Sequence, residues 1–119
     1  MRTLNTHEIA DCVYRLARKA GLSLTDSCRT ALKSAANLED GAAAFALDSL
    51  LENEVTAKRE EIPVCQDTGL SVVLIELGQE VHLEGAPLFD AVNDGVRRDR
   101  KSTRLNSSHC RISRMPSSA

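Results

Sequence analysis

The chain has 119 residues and carries 15 Lys+Arg against 17 Asp+Glu, a formal net charge of −2 at pH 7. That length admits one small domain or part of a larger one; the 42% hydrophobic content suits a globular core, and 3% aromatics leave that core to Leu, Val and Ala. No apolar run is long enough to cross a bilayer and the first residues lack the charged-then-apolar order of a secretion signal, so a cytoplasmic protein is expected.

Helices come first. Asn5 with Glu8 forms a capping box, and Ile9, Val13, Leu16 and Ala20 recur at helical spacing until Gly21 ends the element. Arg2, Arg15, Arg18 and Lys19 suggest a mitochondrial transit helix, but Glu8 and Asp11 in the same segment argue against one. Thr25 or Asp26 caps a second helix with Cys28, Ala31, Leu32 and Ala35 on its apolar face, and Asn37 to Asp40 makes the break. A third helix begins near Gly41. Its stripe is Ala43, Leu47, Leu50 and Leu51, its solvated side Glu52, Glu54, Lys58 and Arg59, and Glu60-Glu61-Ile62-Pro63 stops it.

Strands follow. Leu70 to Leu77 is too β-branched and too continuous for a surface helix; it reads as a strand buried on both faces, bounded by Gly69 and Gly78. Val81-His82-Leu83 is a shorter strand. Pro87 at a first helical position, with Leu88, Ala91, Val92 and Val96 behind it, starts a fourth helix. The expected fold class is α+β: N-terminal helices, then a short sheet, then a truncated helix.

The chemistry concentrates in Ile62-Pro63-Val64-Cys65-Gln66-Asp67-Thr68-Gly69, where a thiol, a carboxamide, a carboxylate and a hydroxyl are adjacent and a glycine closes the run. A thiolate is a soft ligand suited to iron–sulfur clusters and zinc, and a neighbouring carboxylate and amide can orient or protonate a bound substrate. Taken alone the same residues describe a polar turn before a strand. The other cysteines add little: Cys12 and Cys28 fall in helical patterns as small buried hydrophobes, and no Cys-x-x-Cys spacing supports a zinc ribbon or a dithiol redox motif. His82 stands between Val81 and Leu83 with no companion at ligand spacing, and the pairs Glu39-Asp40 and Glu60-Glu61 read as solvated helix ends.

The longer string from Ile62 through Gly69, the run to Gly78, Gln79-Glu80-Val81-His82 and Leu88-Phe89-Asp90-Ala91-Val92-Asn93-Asp94-Gly95-Val96-Arg97 resembles the N-terminal part of the iron–sulfur hydro-lyases. These are the class I fumarate hydratases and the related alpha subunit of L-tartrate dehydratase. The resemblance spans Met1 to Arg98 and is strongest from Ile62 onward. It implies part of a larger catalytic domain and a [4Fe–4S] cluster acting as a Lewis acid on a small dicarboxylate, fumarate or malate. Cys65 matches one of three cluster ligands, Gln66 a substrate-binding amide and Asp67 a carboxylate implicated in proton transfer; Thr68 shapes the loop and contacts substrate. The other two cluster cysteines, the basic residues that grip the dicarboxylate and the proposed catalytic base lie beyond the matched part, so this piece is expected to be inactive. A homodimer or an alpha/beta subunit assembly is implied for the complete enzyme. The rival readings are the tartrate dehydratase alpha subunit and a non-enzymatic helical interaction module, the latter suggested by three amphipathic helices in need of a partner surface.

The C-terminal stretch carries a different resemblance. Asp99 to His109, and Ser113 to Ala119 in a shifted frame, look like the conceptual translation of a sequencing adapter. Residues 99–119 therefore read as a non-native, disordered tail, and Cys110 within it carries no weight. Charge supports the division: Met1–Arg98 has a net charge of −6 and the remainder +4. A basic, Ser-rich tail without aromatics is a poor nucleic-acid arm, and neither nucleic acid nor membrane is an expected partner.

Overall fold

The computed structural model describes residues 1–65 and 70–103. Its elements are β1 (Arg2–Asn5), α1 (Thr6–Leu22), α2 (Asp26–Ala36), α3 (Gly41–Glu60), β2 (Val81–Glu84) and α4 (Leu88–Ser102). The α+β class and the mostly helical composition agree with the sequence reading, but a strand precedes the helices. β1 pairs in parallel with β2, Arg2 opposite Val81 and Asn5 opposite Glu84.

Each strand leads into a helix, and the two helices pack side by side. Asn5 caps α1 by accepting a hydrogen bond from the His7 amide at 2.8 Å, while Pro87 sits at the N-cap of α4, just outside its first turn. Gly85 makes the turn between β2 and α4 at φ +105°, and a Cβ there would lie 2.8 Å from the Thr6 hydroxyl, so both conformation and space require glycine. Contacts advance together along the helices: Asp11 with Arg98, Tyr14 with Arg98 and Arg18 with Ser102. α1 and α4 therefore run in the same sense, as two like-oriented β–α units. Their seam holds the buried residues Ala10, Val13, Ala91 and Val96.

The second packing unit is the α2–α3 hairpin. Thr25 is the residue that caps α2, taking the Cys28 amide on its hydroxyl at 3.2 Å. The expected apolar face of α2 is not buried: Cys28 and Ala31 are exposed, Leu32 and Ala35 are half-buried, and no α2 residue is fully covered. Cys12 is likewise exposed, so neither helical cysteine is the small core hydrophobe the pattern suggested. In both cases the helix meets a neighbour along a strip narrower than its apolar face.

In α3 the roles of two positions reverse. Glu54, expected on the solvated side, is buried, and Leu50 on the supposed stripe is exposed. The cause is a specific partner: Glu54 accepts from the Leu24 amide at 3.1 Å and from Arg29 Nε at 2.8 Å, with a further ion pair to Arg29 Nη2. A buried carboxylate persists where its lone pairs are occupied in this way. Ala57, one turn on, is 1% exposed.

Two expectations are overturned further along. Leu70 to Leu77 forms no strand and is exposed throughout, with Leu74 at 93%. Its β-branched composition supplies propensity, but a strand buried on both faces needs sheet neighbours, and among the described residues none pairs with it. The fourth helix does not stop at Arg98. It continues to Ser102, so residues 99–103 are ordered where a disordered tail was expected. The Asp99 carbonyl accepts from the Thr103 amide at 2.9 Å, the Thr103 hydroxyl at 2.8 Å and the Ser102 hydroxyl at 3.0 Å, while Arg100 and Lys101 are good helix formers. Residues 104–119 lie outside the described part.

Candidate functional site

The approach to Cys65 is built by the end of α3. Glu61 terminates that helix in the left-handed region, φ 53° and ψ 37°, and the amides of Glu61 and Ile62 both donate to the Ala57 carbonyl. A non-glycine residue in that conformation is costly by about 1 kcal/mol, and the Glu61 carboxylate is held by Arg18 Nη2 at 3.1 Å. Pro63 then fixes one backbone dihedral. Val64 is pinned from two sides: its amide donates to the Gly21 carbonyl at 2.9 Å, and its carbonyl accepts from Asn53 Nδ2 at 3.0 Å. The chain thus reaches Cys65 across the C-terminal end of α1 and the face of α3.

Cys65 itself is exposed. Gln66, Asp67, Thr68 and Gly69, which carry the rest of the motif, lie outside the described residues. Cys12 and Cys28 stand on α1 and α2, away from this loop in sequence and each on its own element. Among the described residues no three or more His, Cys, Asp or Glu side chains are grouped to hold a metal ion. Among the described residues the loop contributes one thiol, that of Cys65.

Two charged groupings tie the helices together, α2 to α3 and α1 to α4. The Arg29 guanidinium holds the Glu54 carboxyl below its ordinary range against the opposing effect of burial, and Glu54 in turn raises Arg29. On α1, the hydrogen bond from Arg98 at 2.6 Å lowers Asp11. Arg98 also stacks 4.9 Å from the Tyr14 ring centroid. A cleft of about 400 Å³ opens at the N-terminal ends of α1 and α4, lined in part by Asn5, Thr6, His7, Asp90 and Asp94; Cys65 is not among its walls. In the sequence Asn53 is unmarked and Gly21 reads only as the end of the first helix. A lone asparagine on a polar helix face carries no periodic signal, and a glycine near a helix end is read as a stop rather than as an acceptor.

The fumarate hydratase (Fumerase) family matches the chain over residues 10–116, a span that includes the Cys65 loop and continues past Arg98. A curated relative, a protein of Methanocaldococcus jannaschii described as a putative L(+)-tartrate dehydratase subunit alpha, is 28% identical over 93 residues, covering 76% of this chain and 33% of that protein. The chain thus spans about a third of the length of this relative. No solved structure matches it. With the greater part of its length matched, the chain belongs to the fumarate hydratase family of hydro-lyases.

Proposed function

We propose that this chain is the N-terminal part of a hydro-lyase that reversibly hydrates fumarate to malate. The observation that carries the reading is the family match across the Cys65-Gln66-Asp67-Thr68-Gly69 loop. Hydration adds a proton to one alkene carbon and hydroxide to the other, with no net electron transfer. In the complete protein Cys65 would be one of three thiolates holding a [4Fe–4S] cluster, which would supply Lewis acidity. The other two thiolates would come from elsewhere in the complete protein. Of this chain's own residues, Gln66 donates an amide hydrogen bond to a substrate carboxylate, Thr68 contacts the substrate from the same loop, and Asp67 moves a proton within hydrogen-bond reach of the reacting carbon or hydroxyl.

The 119-residue chain alone is proposed to be inactive, and the complete enzyme to work in the cytoplasm as a homodimer or an alpha/beta assembly. A second reading has its own support, since the relative is described as a tartrate dehydratase alpha subunit; there the same loop would serve dehydration of L-tartrate. Assaying the complete enzyme on both substrates decides between them. Fumarate hydration, with Cys65→Ala abolishing bound iron and Asp67→Ala retaining it while losing turnover, is the expected result. Tartrate dehydration without fumarate hydration overturns the first reading, and unchanged activity in both variants overturns the enzymatic role of the loop.

A further inference from the structure

We propose that Asn53 is a positioning residue for the Cys65 loop, acting through the Val64 peptide; its functional weight rests on the reading of Cys65 as an active-site thiol. Val64 is the residue immediately before that thiol, and both of its backbone polar groups are engaged. The amide meets the Gly21 carbonyl at 2.9 Å, fixing the peptide that joins Pro63 to Val64. The carbonyl meets Asn53 Nδ2 at 3.0 Å, fixing the peptide that joins Val64 to Cys65. A carbonyl oxygen only accepts, so the contact requires the amide nitrogen of Asn53 and defines which way that side chain is turned.

The anchor is itself held. Asn53 precedes Glu54, whose buried carboxylate ties α3 to the Leu24 amide and to Arg29 on α2. At this level α3 is therefore locked to the connection between α1 and α2, and Gly21 belongs to the last turn of α1. One side-chain hydrogen bond transmits that rigidity to the start of the motif. Pro63, with its restricted dihedral, removes slack on the other side. The consequence is a fixed peptide immediately before the exposed thiol of Cys65.

The test uses the 119-residue chain with Cys12, Cys28 and Cys110 replaced by serine and a nitroxide label on Cys65. Asn53→Asp keeps the size of the side chain and removes the donor, and Asn53→Gln keeps the donor on a longer arm. Asn53→Asp is expected to raise the mobile component of the label's spectrum about five-fold, the change that one net hydrogen bond carries, and Asn53→Gln to recover part of the immobile component. A label on Cys28 in the matching background should not change. Superimposable Cys65 spectra for Asn53→Asp and the parent overturn the proposal, and so does equal loosening at Cys28, which would mark a general loss of structure. The spectrum is read without cluster or substrate, so its outcome is independent of the activity assays that decide the hydro-lyase reading.

Discussion

Gly95 on α4 lies directly against the backbone of Ala10 on α1: a Cβ at residue 95 would stand 2.6 Å from the Ala10 carbonyl oxygen and 2.8 Å from Val13 Cβ. Backbone, unlike a side-chain tip, does not rotate away. The crossing of the two helices is thus set by the absence of a side chain at this position.

Gly95→Ala should therefore destabilise the fold, although alanine is the better helix former by about 1 kcal/mol. Separating the helices enough to admit a methyl group costs about 1–3 kcal/mol in comparable overpacked cores. The expected net result is a lower thermal midpoint by circular dichroism. Replacement at Gly21, where an added Cβ meets nothing within 4 Å, is the contrasting case and should leave the midpoint near that of the parent.

The Glu54–Arg29 pair makes the α2–α3 hairpin sensitive to acid. Glu54 titrates below its ordinary value of 4.5 in the folded chain, chiefly through its hydrogen bond from Arg29. The folded state then binds fewer protons than the unfolded one, so the stabilisation is complete above 4.5 and is lost as pH falls through the folded value. Stability measured by urea unfolding should decline as pH is lowered below that range. Glu54→Gln should flatten this part of the profile, while lowering stability at neutral pH because a charge-assisted partner of Arg29 is removed.

Asp99 has the opposite sign. It is 5% exposed, its Oδ1 has no hydrogen-bond partner among the described residues, and burial raises its carboxyl above the ordinary value, against weaker opposing effects of Arg100 and Arg18. Its contribution to folding is present at low pH and lost as pH rises through the raised value. Asp99→Asn removes the charge at nearly constant volume and should raise the neutral-pH midpoint by a few degrees, as about 1 kcal/mol does in a domain of this size.

The exposed run from Leu70 to Leu77 combines β-branched residues, no proline and Glu76 as its one charge. Such a segment is an open template for pairing with another chain. Leu74→Lys, at a position 93% exposed, should alter monomer stability by no more than about 0.5 kcal/mol while reducing concentration-dependent association in sedimentation velocity. Equal association by both chains would show that this run is not the contact.

Helix starts and stops were legible because they rest on neighbours in sequence: the Asn5 and Thr25 caps, the start at Gly41 and the break at Glu61 need only local chemistry. β1 was not, since Arg2-Thr3-Leu4-Asn5 has one apolar residue and becomes a strand only against Val81–Glu84. The burial of Glu54 depends on Arg29, a partner 25 positions away on another helix, and no periodicity encodes that. At the candidate site the motif announced Cys65, whereas the groups that hold its approach, Gly21 and Asn53, are ordinary residues until the chain brings them to Val64.

The register of β1 with β2 has a kinetic meaning. Arg2 cannot meet Val81 until everything between them has been drawn into a ring, and closing a loop of that length carries an entropic cost of about 4 kcal/mol before any contact repays it. The α2–α3 hairpin, with its short connection, bears a much smaller cost and can form early. The ladder and the seam between α1 and α4 close together and late, because each strand leads straight into one of those helices. The first residues of the chain are thus the clasp of this ring.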